Sequence, residues 1–195
     1  QGQQFQVWRL MSHLTSSMAT HSDDVLLEHY LYSWDELIKF MESLGPLVSF
    51  FSQKKRTAYS SVRSMVESEL QRGLVNFSVR TRSGCRNLLR LHRSLLWILL
   101  LLQGLEEGPD SHPTHSLMAM DAYNVALAPH HPWLIRSAAE LVFVALPDRR
   151  VFLDIVCVRK EEDVGPVLNV VVDVMREVYT RTQSILEEHN MMELP

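Results

Sequence analysis

Apolar residues recur at helical spacing along most of the chain. Between residues 34 and 51 they fall at positions 34, 37, 38, 41, 44, 47, 48 and 51, which places them on one face of a helix. We therefore predict a helix over 32–51, interrupted at Gly45-Pro46, and a helix start where Asp23-Asp24 precedes Val25-Leu26-Leu27. Further helices are predicted over 59–74, 83–105, 116–128, 132–146, 149–158 and 164–188.

No segment has the alternating pattern of a strand, and no repeat or low-complexity linker divides the chain. The 195 residues are 46% hydrophobic, enough for a sizeable core. These features predict an all-α fold with residues 1–195 forming a single domain.

The helix predicted over 83–105 has a basic start and an apolar end. At about 100° per residue, Arg86, Arg90 and Arg93 fall on one narrow stripe that continues to Trp97, while leucines fill much of the remaining circumference. Clustered guanidinium groups repel one another unless carboxylates or a multiply charged anion lie against them, and phosphate fits the guanidinium fork well. A phosphate beside an apolar wall indicates an amphiphilic ligand. The alternative is a solvated basic face on a helix whose leucines form the core.

A second segment, 122–136, places His130-His131 directly before a Pro132-Trp133 step. Together with the arginine-rich helix, it resembles the glycolipid transfer protein family, specifically the ceramide-1-phosphate transfer branch. The stretch 178–184 is also similar to a paralogue of that branch, the glycolipid transfer protein domain-containing type. The resemblance extends over 30–34, 43–45, 83–97, 121–136, 145–147, 152–153 and 193–195.

This resemblance implies a two-layer sandwich of helices that encloses lipid chains. It implies that Arg86 and Arg90 bind a phosphate headgroup and that His131 hydrogen-bonds the sphingoid amide. In glycolipid-binding relatives a tryptophan that stacks on sugar stands where this chain has Arg90, which favours phosphate here. Arg93 lies on the same stripe and either joins the headgroup site or pairs with a carboxylate.

Two of these residues have simple structural alternatives. His131 alone is equally consistent with a turn histidine in contact with water. Trp133, beside the Pro132 turn, either docks at the bilayer interface, where indole rings are favoured, or is a buried core side chain.

The chain departs from the family pattern after Phe51. There the family has an Asp and, four residues later, a Lys that contact the lipid amide and headgroup, whereas this chain passes almost directly to the next helix. It is shorter than the pattern by roughly four helical turns. Lys54, Lys55 or Arg56 can replace the lost Lys, but residues 50–59 contain no acidic side chain to replace the Asp.

Charge and composition restrict the partners. The formal net charge is −4, which argues against nucleic-acid binding and makes any anion site a local one. The longest apolar run, 95–102, is far shorter than the ~20 residues of a membrane-spanning helix. Cys85 and Cys157 have neither disulfide-framework nor metal-ligand spacing, so we expect both to be packed thiols.

Sequence motifs for catalysis are missing. His112, His115, His130 and His131 lie in or beside Pro-containing turns without paired ligand spacing, and the chain has no nucleophile elbow, phosphate loop or dinucleotide fingerprint. We therefore expect neither an enzyme nor a metal or cofactor site.

The predicted function is non-enzymatic transfer of a phosphorylated sphingolipid, such as ceramide-1-phosphate, between membranes. The expected partners are that lipid and a membrane surface, which the protein approaches peripherally from the cytoplasm. The chain begins at Gln1 without a signal-peptide pattern. The alternatives are a lipid-sensing or scaffold protein that has lost transfer, or transfer of a glycosphingolipid.

Overall fold

The computed structural model describes residues 4–45, 59–108 and 115–195. In these ranges the only β pairings are two isolated bridges, Met18 with Val25 and Leu26 with Ser61, so the all-α prediction is confirmed. The described α-helices are α1 (Val7–Ser17), α2 (Leu27–Leu44), α3 (Val62–Gln71), α4 (Gly84–Glu107), α5 (His115–Ala126), α6 (Trp133–Val144), α7 (Arg149–Ile155) and α8 (Val164–Glu188).

Helix α1 was not predicted. Its buried residues Val7, Leu10 and Leu14 have the three-and-four spacing of a helix face. Gln6 at its N-cap makes no side-chain cap, although its main-chain N–H donates to Glu36 Oε2 at 3.0 Å. The apolar pattern was present, but nothing in the local sequence marked the start of the helix.

Helix α2 begins at Leu27, within the segment 25–27 that follows Asp23-Asp24, so the predicted helix start is confirmed. The aspartate pair does not cap the helix, because the N-cap residue is Leu26. The Asp24 carboxylate instead accepts hydrogen bonds from the main-chain N–H groups of Val25, at 2.8 Å, and Arg63, at 3.1 Å. The aspartate therefore ties the loop before α2 to the start of α3.

Helix α2 ends at Leu44, and Gly45 follows with φ of 141°, a conformation that glycine adopts most readily. The rest of the predicted helix, 46–51, falls within 46–58 and lies outside the described residues, and so do the basic residues Lys54, Lys55 and Arg56.

Helix α4, which carries the arginine stripe, packs against α3, α5 and α8. Its first turn is capped twice. Ser83 Oγ accepts from the Arg86 N–H at 3.1 Å, and the Glu69 carboxylate of α3, only 4% exposed, accepts from the N–H groups of Gly84 and Cys85 at 2.7 and 2.9 Å. These bonds satisfy otherwise unpaired donors and fix the basic end of the helix.

By length and composition alone, α4 is apolar enough to span a bilayer, as no other helix of the described residues is. Its most apolar 18-residue window is, however, 67% buried inside the fold. Core helices pass the same test of length and composition, and the contacts of α4 with α5 and α8 account for its apolar residues.

The two cysteines differ in environment. Cys85 is buried, as predicted, and burial raises the pKa of its thiol. Cys157 is exposed and adopts a positive φ of 63° just after α7, so the prediction of a packed thiol is wrong there.

Candidate headgroup site

The three predicted arginines lie together on α4, but they have different environments. Arg86 Nε donates to the main-chain oxygen of Pro195 at 2.7 Å, and Arg93 Nη2 donates to that of Met192, also at 2.7 Å. These two arginines hold the segment 191–195 against α4. Arg90 lies between them and is exposed, and its guanidinium has no hydrogen-bond or ion-pair partner in the part of the chain that the structure describes.

Crowding of positive charge marks this cluster. Partial burial lowers the pKa of Arg86, and the charges of Arg80, Arg90 and Arg93 lower it further. Burial also lowers the pKa of half-buried Arg93, with Glu193 acting in the opposite direction. Because Arg86 and Arg93 are partly buried, the stripe is not the uniformly solvated face considered as the alternative.

His131 lies beside this cluster, directly after the short 3₁₀ turn Ala128–His130. Its Nδ1 is 2.7 Å from the Tyr123 hydroxyl, and the two ring centroids are 5.6 Å apart. Burial lowers the pKa of His131, and the charges of His130, Arg90 and Arg93 add to that effect. The imidazole is therefore neutral near pH 7, when it can both donate and accept hydrogen bonds. It is a turn histidine, but one partly buried against a tyrosine.

A narrow apolar crevice begins next to these polar residues. Its volume is about 30 Å³, room for roughly one water molecule. An acyl chain can therefore enter only if the side chains of the wall move apart. The lining residues are Met41, Ser94, Trp97, Tyr123, Leu127, His131 and Phe143.

The arginine stripe leads directly into this crevice. Ser94, one turn beyond Arg90, donates its hydroxyl to the Arg90 carbonyl at 3.1 Å and lines the crevice. Trp97, one turn further, is buried, stacks on Phe143 with ring centroids 5.6 Å apart, and donates Nε1–H to the Ala119 carbonyl at 3.2 Å. One face of α4 thus changes from charged to apolar within three turns.

Several residues of this site were not identified from the sequence. Tyr123 lies eight residues before His131 across a turn, and that short separation was a usable signal. Phe143 and Met192 had none, because nothing local specifies which aromatic ring or which main-chain oxygen meets α4. Pro195 lies in the segment 193–195 that resembles the family, but that resemblance did not indicate its contact with Arg86.

Trp133 opens α6 and is 70% exposed. The alternative of a buried core tryptophan is therefore wrong. Its indole does not line the crevice, although His131, two residues earlier, does. In the described ranges, no group of three or more His, Cys, Asp and Glu side chains could hold a metal ion.

A helical fold with a basic cluster at one end of an apolar crevice defines a class of lipid-binding protein. The family model "Glycolipid transfer protein (GLTP)" matches residues 25–158. This chain belongs to the glycolipid transfer protein family, whose members transfer lipids and are not enzymes. The predictions of the family, of its helical sandwich fold and of a non-enzymatic function are confirmed.

Sequence relatives and solved structures of the same family are similar to this chain over most of its length. Ceramide-1-phosphate transfer protein of Bos taurus is 38% identical over 191 positions, covering 89% of each chain, and that of Danio rerio is 36% identical over 209 positions, covering 98% of each. The crystal structure of the human protein of that name in complex with 2:0 ceramide-1-phosphate has a TM-score of 0.88 and 32% identity, covering 99% of this chain and 100% of that one. The apo-form of the mouse protein has a TM-score of 0.86 and 32% identity, covering 97% and 99%.

The length of one alignment agrees with a shortened chain. The alignment with the Danio rerio protein runs over 209 positions, more than the 195 residues present here, while covering 98% of both chains. This chain therefore lacks positions that the relative has. The predicted location of that loss, after Phe51, lies outside the described residues.

Proposed function

We propose that this protein carries ceramide-1-phosphate between membranes without altering it chemically. The observation that carries the proposal is the environment of Arg90. Its guanidinium has no partner among the described residues, two further guanidinium groups flank it, and the apolar crevice begins one turn away. A phosphate monoester would relieve the repulsion among these cations, and its hydrocarbon chains would follow α4 inward.

The three arginines take different parts in this proposal. Arg90 is the principal phosphate ligand, because binding breaks no existing hydrogen bond of its side chain. Arg86 uses Nε to hold Pro195, which leaves its two terminal nitrogens to bind the phosphate. Arg93 contributes its charge while it holds Met192.

His131 meets the amide of the sphingoid base in this proposal. The hydrogen bond between its Nδ1 and the Tyr123 hydroxyl fixes the orientation of the ring, and the low pKa keeps the ring neutral. Tyr123 is a positioning residue, since it acts through His131.

A vesicle-to-vesicle transfer assay tests the proposal, with labelled ceramide-1-phosphate and a labelled neutral glycosphingolipid as cargo. We expect transfer of the first lipid and little of the second. Arg90→Leu should weaken binding of ceramide-1-phosphate by about 2 kcal/mol, roughly 30-fold, because charge-assisted hydrogen bonds in a partly dry site are strong. Arg159→Leu, at an exposed arginine between α7 and α8, is the matched control.

The other functions give different results in the same assay. A protein that binds the lipid and moves none would be a sensor or scaffold. Preferential transfer of the glycosphingolipid would replace phosphate by sugar as the headgroup. Unchanged ceramide-1-phosphate transfer by Arg90→Leu would reject the phosphate clamp itself.

The proposal includes peripheral docking of the protein, from the cytoplasm, through Trp133. An exposed indole at the start of a helix favours the headgroup region of a bilayer. Trp133→Ala should lower partition to phosphatidylcholine vesicles in a sedimentation assay. Trp8→Ala is the matched control, because Trp8 is 76% exposed on α1. An equal loss in both variants would show that exposed tryptophan, and not this position, drives association.

A further inference from the structure

A second cavity lies next to the headgroup site, in a groove between α5 and α6. Its volume is about 350 Å³, at the lower end of the range for small-molecule sites. Tyr123 lines both this groove and the apolar crevice, so a single side chain is common to both walls. The groove itself contains none of the arginines assigned to the cargo phosphate.

The groove presents one positive and one negative charge side by side. Arg136 and Glu140 are one turn apart on α6, and both are exposed and line the groove. They form no ion pair with each other, and neither side chain has a hydrogen-bond or ion-pair partner within the described ranges. An arginine placed four residues before a glutamate is the less favourable order for pairing along a helix, so both charges can bind a ligand.

The charges restrict the ligand. A lone anion would be attracted by Arg136 but repelled by the Glu140 carboxylate. A lone cation would be attracted by Glu140 but repelled by Arg136. A zwitterion whose phosphate and ammonium are joined by a short link satisfies both at once.

Aromatic rings select the type of ammonium. The indole of Trp133 and the ring of Tyr123 line the same groove, and the faces of such rings attract quaternary ammonium groups through cation–π interactions. Arg136 and Tyr123 line the same groove, and the charge of Arg136 opposes the rise in pKa that burial gives the Tyr123 hydroxyl.

We propose that the α5–α6 groove is a second lipid site, which binds the phosphocholine headgroup of a bilayer phosphatidylcholine while Arg86, Arg90 and His131 serve the cargo. Arg136 binds the phosphate, Glu140 faces the quaternary ammonium, and Trp133 packs against its methyl groups. The site recognises the membrane on which the protein docks. It does not depend on the identity of the cargo.

The soluble headgroup sn-glycero-3-phosphocholine tests the site without a membrane. The chain has four tryptophans, so in ¹⁵N-labelled protein the indole N–H signal of Trp133 is identified as the one lost in Trp133→Phe. We expect this signal to shift saturably on titration at low ionic strength, while that of exposed Trp8 does not. Inorganic phosphate and tetramethylammonium should each bind more weakly than the zwitterion.

Variants of the two charges sharpen the test. Glu140→Gln and Arg136→Gln should each weaken binding of glycerophosphocholine by about threefold or more, the range of exposed charge pairs. Glu67→Gln, at an exposed glutamate on α3, should leave it unchanged. No saturable shift at Trp133, or equal shifts with inorganic phosphate, would overturn the proposal, and so would unchanged binding by Glu140→Gln.

A vesicle arm distinguishes the bilayer lipid from free phosphocholine. Glu140→Gln should reduce partition to phosphatidylcholine vesicles but not to phosphatidylglycerol vesicles, whose headgroup has no ammonium. An equal loss of partition to both kinds of vesicle would mean that the groove does not distinguish the two headgroups. Ceramide-1-phosphate binding measured in detergent should be the same in wild type and Glu140→Gln, so failure of this site is distinguishable from failure of the cargo site.

Discussion

At the residue scale, the arginines of α4 show that position on a helix face does not by itself fix a role. The main-chain oxygens of Met192 and Pro195 satisfy Arg93 and Arg86, and they lie 99 and 109 residues away along the chain. Only Arg90 has no such partner among the described residues. We therefore assign Arg90 to ligand binding alone, and Arg86 and Arg93 also to holding the segment 191–195 against α4.

Arg93→Met should therefore affect stability more than Arg90→Leu does. Loss of the charged donor leaves the Met192 carbonyl unpaired and should lower the free energy of unfolding by about 1 kcal/mol or more. Arg90→Leu, at an exposed side chain, should change it by less than about 0.5 kcal/mol. Urea unfolding measures both, and amide exchange in 191–195 should accelerate only in Arg93→Met. A stable Arg93→Met protein that has lost ceramide-1-phosphate selectivity would instead make Arg93 a direct ligand.

His92 is a buried titratable group on the opposite side of α4 from the stripe. It is fully buried, stacks on Tyr179 with ring centroids 4.1 Å apart, and its Nε2 lies 2.5 Å from Gln183 Oε1. Burial lowers the pKa of His92 to about 4, while the hydrogen bond to Gln183 acts in the opposite direction. Its ordinary pKa is 6.5.

This shift predicts a loss of stability in acid. Below pH 6.5 the unfolded chain takes up a proton at His92 that the folded chain accepts only near pH 4, so His92 stabilises the fold fully above pH 6.5 and progressively less as the pH falls towards 4. From pH 7 to pH 5 the free energy of unfolding should fall by about 2 kcal/mol from this residue alone. The fall should be smaller by that amount in His92→Asn and unchanged in His21→Asn, whose histidine is exposed. An equal fall in all three proteins would assign the acid sensitivity to other groups.

At the scale of helices, the sequence was most informative where an apolar period coincided with a local cap or turn signal. Helix α8 has the predicted bounds, and α4 starts directly after Ser83, a strong N-cap residue. Helix α1 had the apolar period without a cap, and α2 had a cap-like Asp pair whose carboxylate binds a different helix. The second cap of α4, Glu69, comes from 15 residues away, and no local pattern reports such a contact.

That remote cap predicts a coupling between α3 and the headgroup site. Glu69→Ala removes the acceptor for two N–H groups at the start of α4 and should lower the free energy of unfolding by about 1 to 3 kcal/mol, the range for a buried donor left unpaired. Hydrogen exchange should accelerate in the first turn of α4, which carries Arg86. Glu67→Ala on the same helix is exposed and serves as the control. Equal effects of the two variants would mean that destabilisation of helix α3 as a whole, and not loss of the cap, lowers the free energy of unfolding.

At the scale of the whole molecule, the fold brings together parts that a linear reading keeps separate. The arginine stripe, the His131 turn, the segment 191–195 and the α5–α6 groove neighbour one another in the folded chain. The sequence predicted the first two because each is local. The positions of the segment 191–195, the crevice wall and the α5–α6 groove depend on how α5, α6 and α8 pack around α4. The residues that make those packing contacts share no local sequence pattern.

The short segment after Phe51 has a consequence for the whole molecule, because the resemblance to the family implies that a polar contact with the lipid is lost there. The family pattern has an Asp there, whereas residues 50–59 of this chain contain no carboxylate. Without that acceptor, the amide N–H and hydroxyl of a sphingolipid lose a charged partner, at a cost of about 1 to 3 kcal/mol. The arginine cluster still favours phosphate, so selectivity for the sphingoid base should fall more than affinity for the headgroup.

Diacyl phosphatidic acid measures this difference, since it offers the phosphate but has no amide. We expect it to compete with ceramide-1-phosphate more effectively here than against the Danio rerio relative assayed in parallel, by roughly 5- to 150-fold for the free-energy range above. Phosphatidylcholine serves as the competitor control, because its phosphate carries only one charge and an added choline. If phosphatidic acid competes no better here than with the relative, a side chain of this protein accepts the amide hydrogen in place of the missing Asp, and His131, which the proposed function already places at the amide, is the first to mutate.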